Sequence, residues 1–124
     1  MKKLLVFLLM LSLLACSSVP REIRMVQDGQ FDEFDFTVKQ LVQTNWENPL
    51  WRVENGKVIV SGELDNEGER MNYALEFSVD KPQNTFEFER LFINGEEADD
   101  FSTMMIITIM ALTTAIALDA TLPE

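Results

Sequence analysis

The side chains best suited by type for chemistry are acidic ones at alternating positions, Glu63, Glu76, Glu87 and Glu89, and a single cysteine, Cys16. Two carboxylates across a cleft are the machinery of glycoside hydrolysis. Here all four fall on segments that read as strands, and a solvated sheet face accounts for them without catalysis. The chain has no histidine, so it lacks the side chain best matched to proton transfer near neutral pH. Ser–His and Cys–His nucleophilic sites and His-ligated zinc are thereby excluded within the chain. Asp28, Asp32, Glu33 and Asp35 cluster in sequence but lack the spacing and the glycine of an EF-hand loop. Ser61-Gly62 is no nucleophile elbow, and the five glycines stand singly rather than in a phosphate-cradling loop. The expectation is a protein without catalysis, metal or cofactor. Aromatic residues offer a different chemistry. Trp46 and Trp51 flank Pro49 and could shelve a sugar or a peptide, or simply close the end of a core. Tyr73, Phe86 and Phe88 join Trp51 as candidate walls of a pocket between helix and sheet.

The elements that would position these residues follow from hydrophobic period. Phe31, Phe34, Val38, Leu41 and Val42 share one face of a helix over 31–45, with Asp28 or Gly29 as its cap. Pro49 blocks its continuation. Trp51 and Val53 then alternate into Asn55-Gly56, a strong hairpin signal. Val58, Val60, Gly62 and Leu64 share a face, as do Tyr73, Leu75, Phe77 and Val79 after the polar turn 65–69. In the last long strand, Thr85 to Ile93, alternation puts Phe86, Phe88, Arg90 and Phe92 together and Leu91 and Ile93 opposite. Short links between successive strands mean an antiparallel meander. The expected fold is α+β: about four strands packed against an N-terminal and an apolar C-terminal helix.

The N-terminus carries a different signal. Lys2 and Lys3 precede Leu4–Leu14, an apolar run of eleven residues interrupted by Ser12. That is too short for a membrane span, which needs about 20 residues, and has the size of a signal-peptide core. It ends in Leu13-Leu14-Ala15-Cys16. Leu13, Ala15 and Cys16 resemble the lipobox of bacterial lipoproteins, with Leu14 a tolerated variant. The resemblance covers residues 1–16. It implies cleavage between Ala15 and Cys16 and a covalent diacylglyceryl lipid on Cys16. Ser17 in place of an aspartate implies, by the same resemblance, the periplasmic face of an outer membrane, a Gram-positive surface remaining open. The expected organisation is a signal peptide over 1–15, a lipidated tether over 16–30 containing Ser17, Ser18 and Pro20, and one domain over 31–124. Within 16–30, Ile23, Met25 and Val26 either form a short strand or pack on the domain.

The run 101–118 carries no charge and is bounded by Asp99, Asp100 and Asp119. As a helix it would be about 27 Å long, at the lower edge of a membrane span. Three readings stay open: a helix covering the sheet, an interface with a second copy or a protein partner, and a membrane helix. Ser102, Thr103, Thr113 and Thr114 make a weak polar stripe on it.

The formal net charge is −11, and removing Lys2 and Lys3 leaves 8 basic against 21 acidic residues, or −13. Such a domain is repelled by nucleic acid. With one cysteine, no internal disulfide is available and the core must hold the fold. These features lead to the expectation of a membrane-anchored, non-catalytic envelope lipoprotein that works through protein contacts, the alternative being a periplasmic binder of small ligands.

Overall fold

The computed structural model describes residues 19–31 and 34–121. The leader, Ala15 and Cys16 lie outside the described residues.

The chain is α+β, an antiparallel sheet with helices, one of them apolar and C-terminal. Its first element is a short helix, α1 (Arg21–Gln27), started at Pro20. The proline presets φ and interrupts any regular structure before it. Ile23 and Val26, three residues apart and so on one face, are buried in the core. The expected tether therefore gives way at Arg21, and the residues that could have made a strand make a helix that packs.

The expected helix over 31–45 contracts to α2 (Val38–Asn45). Thr37 decides its start. Its hydroxyl accepts from the Gln40 backbone N–H at 3.2 Å, while Gln40 Oε1 accepts from the Thr37 N–H at 2.8 Å. This reciprocal capping box satisfies two of the donors that a helix start leaves free. Upstream, the Phe31 N–H donates to the Phe36 carbonyl at 3.1 Å and the Phe34 N–H to the Phe31 carbonyl at 3.0 Å, folding the phenylalanine segment into a loop. Thr37→Ala should lower stability by about 1 kcal/mol in urea unfolding, an effect that the expected longer helix, capped near Asp28, would not show.

Five strands follow: β1 (Glu47–Glu54), β2 (Lys57–Asn66), β3 (Glu69–Asp80), β4 (Thr85–Ile93) and the two-residue β5 (Glu96–Glu97), ordered β1-β2-β3-β4-β5 and antiparallel throughout. Asn55-Gly56, Glu67-Gly68 and Asn94-Gly95 all have positive φ at both positions. That is the two-residue turn whose twist matches the strands it joins. β1 is irregular between Glu47 and Leu50, where Asn48 takes φ 52°.

The inner face carries Val58, Val60, Leu75, Phe77 and Leu91, all fully buried. Leu91 corrects the simple alternation expected of β4. Phe77 pairs with Phe88, but Glu76 pairs with Arg90, so Glu89 is an extra residue in β4. This bulge reverses the phase of the strand. Phe86 and Phe88 face inward before it, and Leu91 and Ile93 after it. Arg90 moves to the outer face with Phe92, where its Nε lies 3.3 Å from both Glu76 and Glu97.

The last helix, α3 (Asp100–Thr121), is capped by Asp99, whose carboxylate accepts from the Ser102 N–H at 2.7 Å. It docks chiefly on α2. Met110, Ala111 and Thr114 are buried there. Asn45 fastens the pair, its Nδ2 donating to the Met110 carbonyl at 3.1 Å and to Thr114 Oγ1 at 3.0 Å.

Candidate functional site: a phenylalanine-lined cavity and an apolar helix face

A cavity of about 810 Å³ opens where the β3–β4 end of the sheet meets the Phe31 loop and the first turns of α3. Phe31, Phe34, Phe77, Phe86, Phe88, Met104 and Ile107 form its apolar wall. Gln30, Asn84, Thr85, Glu87 and Thr108 complete it. The rings are held in order. Phe77 meets Phe86 and Phe88 edge-on, with centroids 5.9 and 5.8 Å apart, the arrangement ring quadrupoles favour. Phe31 and Phe34 stack at 6.2 Å.

Gly29 makes this wall possible. A Cβ there would overlap the Phe86 ring and lie 2.8 Å from the Met25 carbonyl oxygen. Glycine thus lets the end of α1 close onto β4, a close approach that a larger residue would prevent. Beyond Phe86, a second cleft of about 610 Å³ is lined by Arg21, Arg24, Met25, Asp28, Gly29, Asn84 and Phe86. Charge is locally compensated around it: Lys81 lies 3.4 Å from Glu22, and Arg21 Nη2 donates to the Lys81 carbonyl at 3.5 Å.

The second feature is the outer face of α3. Phe101, Met104, Met105, Ile109, Leu112 and Ile116 are 47% to 71% exposed. Their spacings of 3, 1, 4, 3 and 4 residues make a stripe along the helix. From Asp100 to Asp119 the helix is long and apolar enough to cross a membrane, with mean hydropathy 2.0, and only 17% of that stretch is buried. α3 thus joins the core with one side, through Met110 and Ala111, and leaves the other side bare. Met104 and Thr108 belong both to this exposed surface and to the cavity lining, so the two features are continuous.

The anticipated aromatic site divides. Phe86 and Phe88 reach the cavity. Trp46 is almost fully buried and stacks on Tyr73 at 5.7 Å. It also covers Gly62, where a Cβ would lie 2.6 Å from its own Cβ. Tyr73 stands four residues along β3 from Phe77, about 13 Å away. Trp46 closes the core, and Trp51, half-buried against it, is not among the residues lining the cavity. Phe31, Phe34, Met104 and Ile107 had read only as helix positions. They arrive from a loop and a helix that no local pattern relates to β4.

Of the four glutamates singled out by type, Glu63 and Glu76 are engaged in ion pairs on the outer sheet face. Arg70 Nη2 lies 2.9 Å from Glu47 and 2.8 Å from Glu63. The bonds and charge of Glu63, and then the charge of Glu47, make the Arg70 guanidinium hold its proton more tightly. Glu76 Oε2 is buried without a hydrogen-bond partner but lies 3.3 Å from Arg90 Nε and 3.9 Å from Lys57 Nζ. The distances make this an ion pair of poor hydrogen-bond geometry. The Asp99 carboxyl is held below its usual range by hydrogen bonds from Ser102, the ionisation of a cap rather than of a catalyst. Among the described residues, no group of three or more Cys, Asp or Glu side chains is arranged to hold a metal ion. Compared with known proteins, the chain matches no family model, no curated protein and no solved structure.

Proposed function

We propose that this chain is a non-catalytic lipoprotein of the cell envelope, held to a membrane by lipid on Cys16 and acting by contact. The observation that carries the contact reading is the outer face of α3, a stripe of large apolar side chains left bare on an otherwise acidic domain. Contiguous exposed apolar surface marks interaction sites. A protein partner or a second copy of the chain is the expected occupant, and the two methionines exposed on that face, Met104 and Met105, suit an adaptable contact. The lipobox resemblance supports the anchor and the periplasmic face of an outer membrane. Two acyl chains give stable attachment where one is marginal. The acidic surface argues against nucleic acid as a partner.

Fractionation of cells tests the anchor. Cys16→Ser should move the protein from the membrane to the soluble envelope fraction and abolish incorporation of labelled palmitate. Retention in the membrane with no lipid label in either form would sink the lipoprotein reading. A photo-crosslinking residue at Ile109 or Ile116 should capture a protein, whereas one at Asp65 on the sheet should not.

A second reading, a binder of small ligands, is favoured by the cavity. Its volume lies within the roughly 300–1,000 Å³ of ligand pockets, and its lining is mainly apolar with a few polar groups, as such pockets are.

A further inference from the structure

We infer that the phenylalanine-lined cavity takes one alkyl chain of a membrane lipid whose polar end carries no net charge, admitted along the outer face of α3 past Met104 and Thr108. This deepens the small-ligand reading and rests on it.

The chemistry of the lining selects the ligand. Phe31, Phe34, Phe77, Phe86, Phe88 and Ile107 offer rings and methylenes and no strong hydrogen-bonding group. A sugar or peptide placed there would leave its polar groups unpaired, at a cost that an alkyl chain does not incur. Glu87 is the one charged residue among the described residues lining the cavity. By alternation its side chain falls on the outer face, between the inward Phe86 and Phe88, so a fatty-acid carboxylate or an acidic headgroup would find no cation among the described lining residues to pair with. Gln30, Asn84 and Thr85 give neutral donors suited to the ester oxygens of a glycerolipid.

The way in is also on the page. Met104 is 68% exposed on the bare face of α3 and also lines the cavity. An alkyl chain leaving a bilayer against that face can enter the cavity without crossing a polar surface. α3 need not insert for this to happen. Its other side is committed to α2 through Met110, Ala111 and Thr114, and Asn45 bonds to the helix backbone. One side of the helix is therefore held by the domain, and lipid can reach the cavity along the other without the helix spanning the bilayer, despite a length and composition that would permit a span. A second copy on the same face would meet charge repulsion. An antiparallel pairing would bring Asp99 and Asp100 of one helix towards Asp119 of the other, between domains that are both strongly acidic.

The test uses the full chain in phosphatidylcholine vesicles containing phosphatidylcholine with a diazirine on one acyl chain. After irradiation, adducts are mapped by peptide mass spectrometry. Adducts are expected on the segments holding Phe34, Phe86 and Phe88. Met104→Glu and Thr108→Trp should each reduce them about ten-fold, the loss that follows from keeping about two methylenes out of the cavity. Both positions are exposed, and circular dichroism establishes that the variants fold. Adducts confined to Ile109, Leu112 and Ile116 and indifferent to both substitutions would overturn the inference. Native mass spectrometry of the purified chain separates the two failures. A bound non-lipid molecule lost in Thr108→Trp overturns the alkyl chain and keeps the small-ligand reading. No bound mass and no cavity adducts overturns both.

Discussion

Leu91→Ala should destabilise the protein by about 2–5 kcal/mol, while Phe92→Ala, the larger truncation one residue away, should cost only about 1 kcal/mol. The difference arises from the bulge at Glu89. With the extra residue, Leu91 pairs with Leu75 on the buried face, and both are fully excluded from solvent. Phe92 pairs with Ala74 on the outer face and is partly exposed. Urea unfolding of the two variants, with unchanged dependence on denaturant, measures the ratio directly. A larger cost at Phe92 would mean that β4 runs without its bulge and that every residue beyond Phe88 faces the other way.

Phe77→Ala should cost about 3–5 kcal/mol. Phe77 is fully buried, touches the rings of Phe86 and Phe88, and separates the core from the cavity. Truncation removes the wall on one side and the filling on the other. The packed interior can relax only partly, and the space gained joins an opening already present. Domains of this size are stable by only about 5–15 kcal/mol, so the variant should melt well below the parent and fold incompletely at growth temperature. Thermal unfolding by circular dichroism checks this. A midpoint within a degree or two of the parent would show that Phe77 is not the partition that its packing indicates.

How much of this was legible in the sequence depended on how local the cause was. Asn55-Gly56 and Asn94-Gly95 were readable because positive φ at two adjacent positions restricts the residue choice to a few types. The meander and the α+β class followed. The start of α2 had a local signature, Thr37-x-x-Gln40, but Phe31 and Phe34 happen to continue the helical spacing of Val38 and Leu41 and masked it. α1 carries only Ile23 and Val26 on its buried face, too few positions for a period to declare itself. The bulge at Glu89 was illegible because Phe86, Phe88 and Phe92 alternate perfectly well without it. Only the demand that Leu91 meet Leu75 selects the shifted phase. The same limit governed the candidate site. Phe86 and Phe88 share a strand face and could be found by alternation. Their partners Phe31, Phe34, Met104 and Ile107 come from two other elements, and only the close approach at Gly29 and the docking of α3 bring them together. Trp46 and Trp51, close in sequence and rich in contact area, were the more visible pair, and neither lines the cavity.

The borders of the sheet have a consequence for life in a crowd. β1, at one border, is broken between Glu47 and Leu50 by an irregularity that contains Pro49, a residue with no N–H to offer a neighbour. At the other, β5 is two glutamates long, and the stretch of β4 that it leaves uncovered is bent at Glu89 and studded with Glu87, Glu89 and Arg90. Both rims are poor templates for a new strand, which disfavours extension of the sheet by stacked copies. The bare face of α3, by contrast, offers a neighbour only side chains, because its backbone hydrogen bonds are already made within the helix.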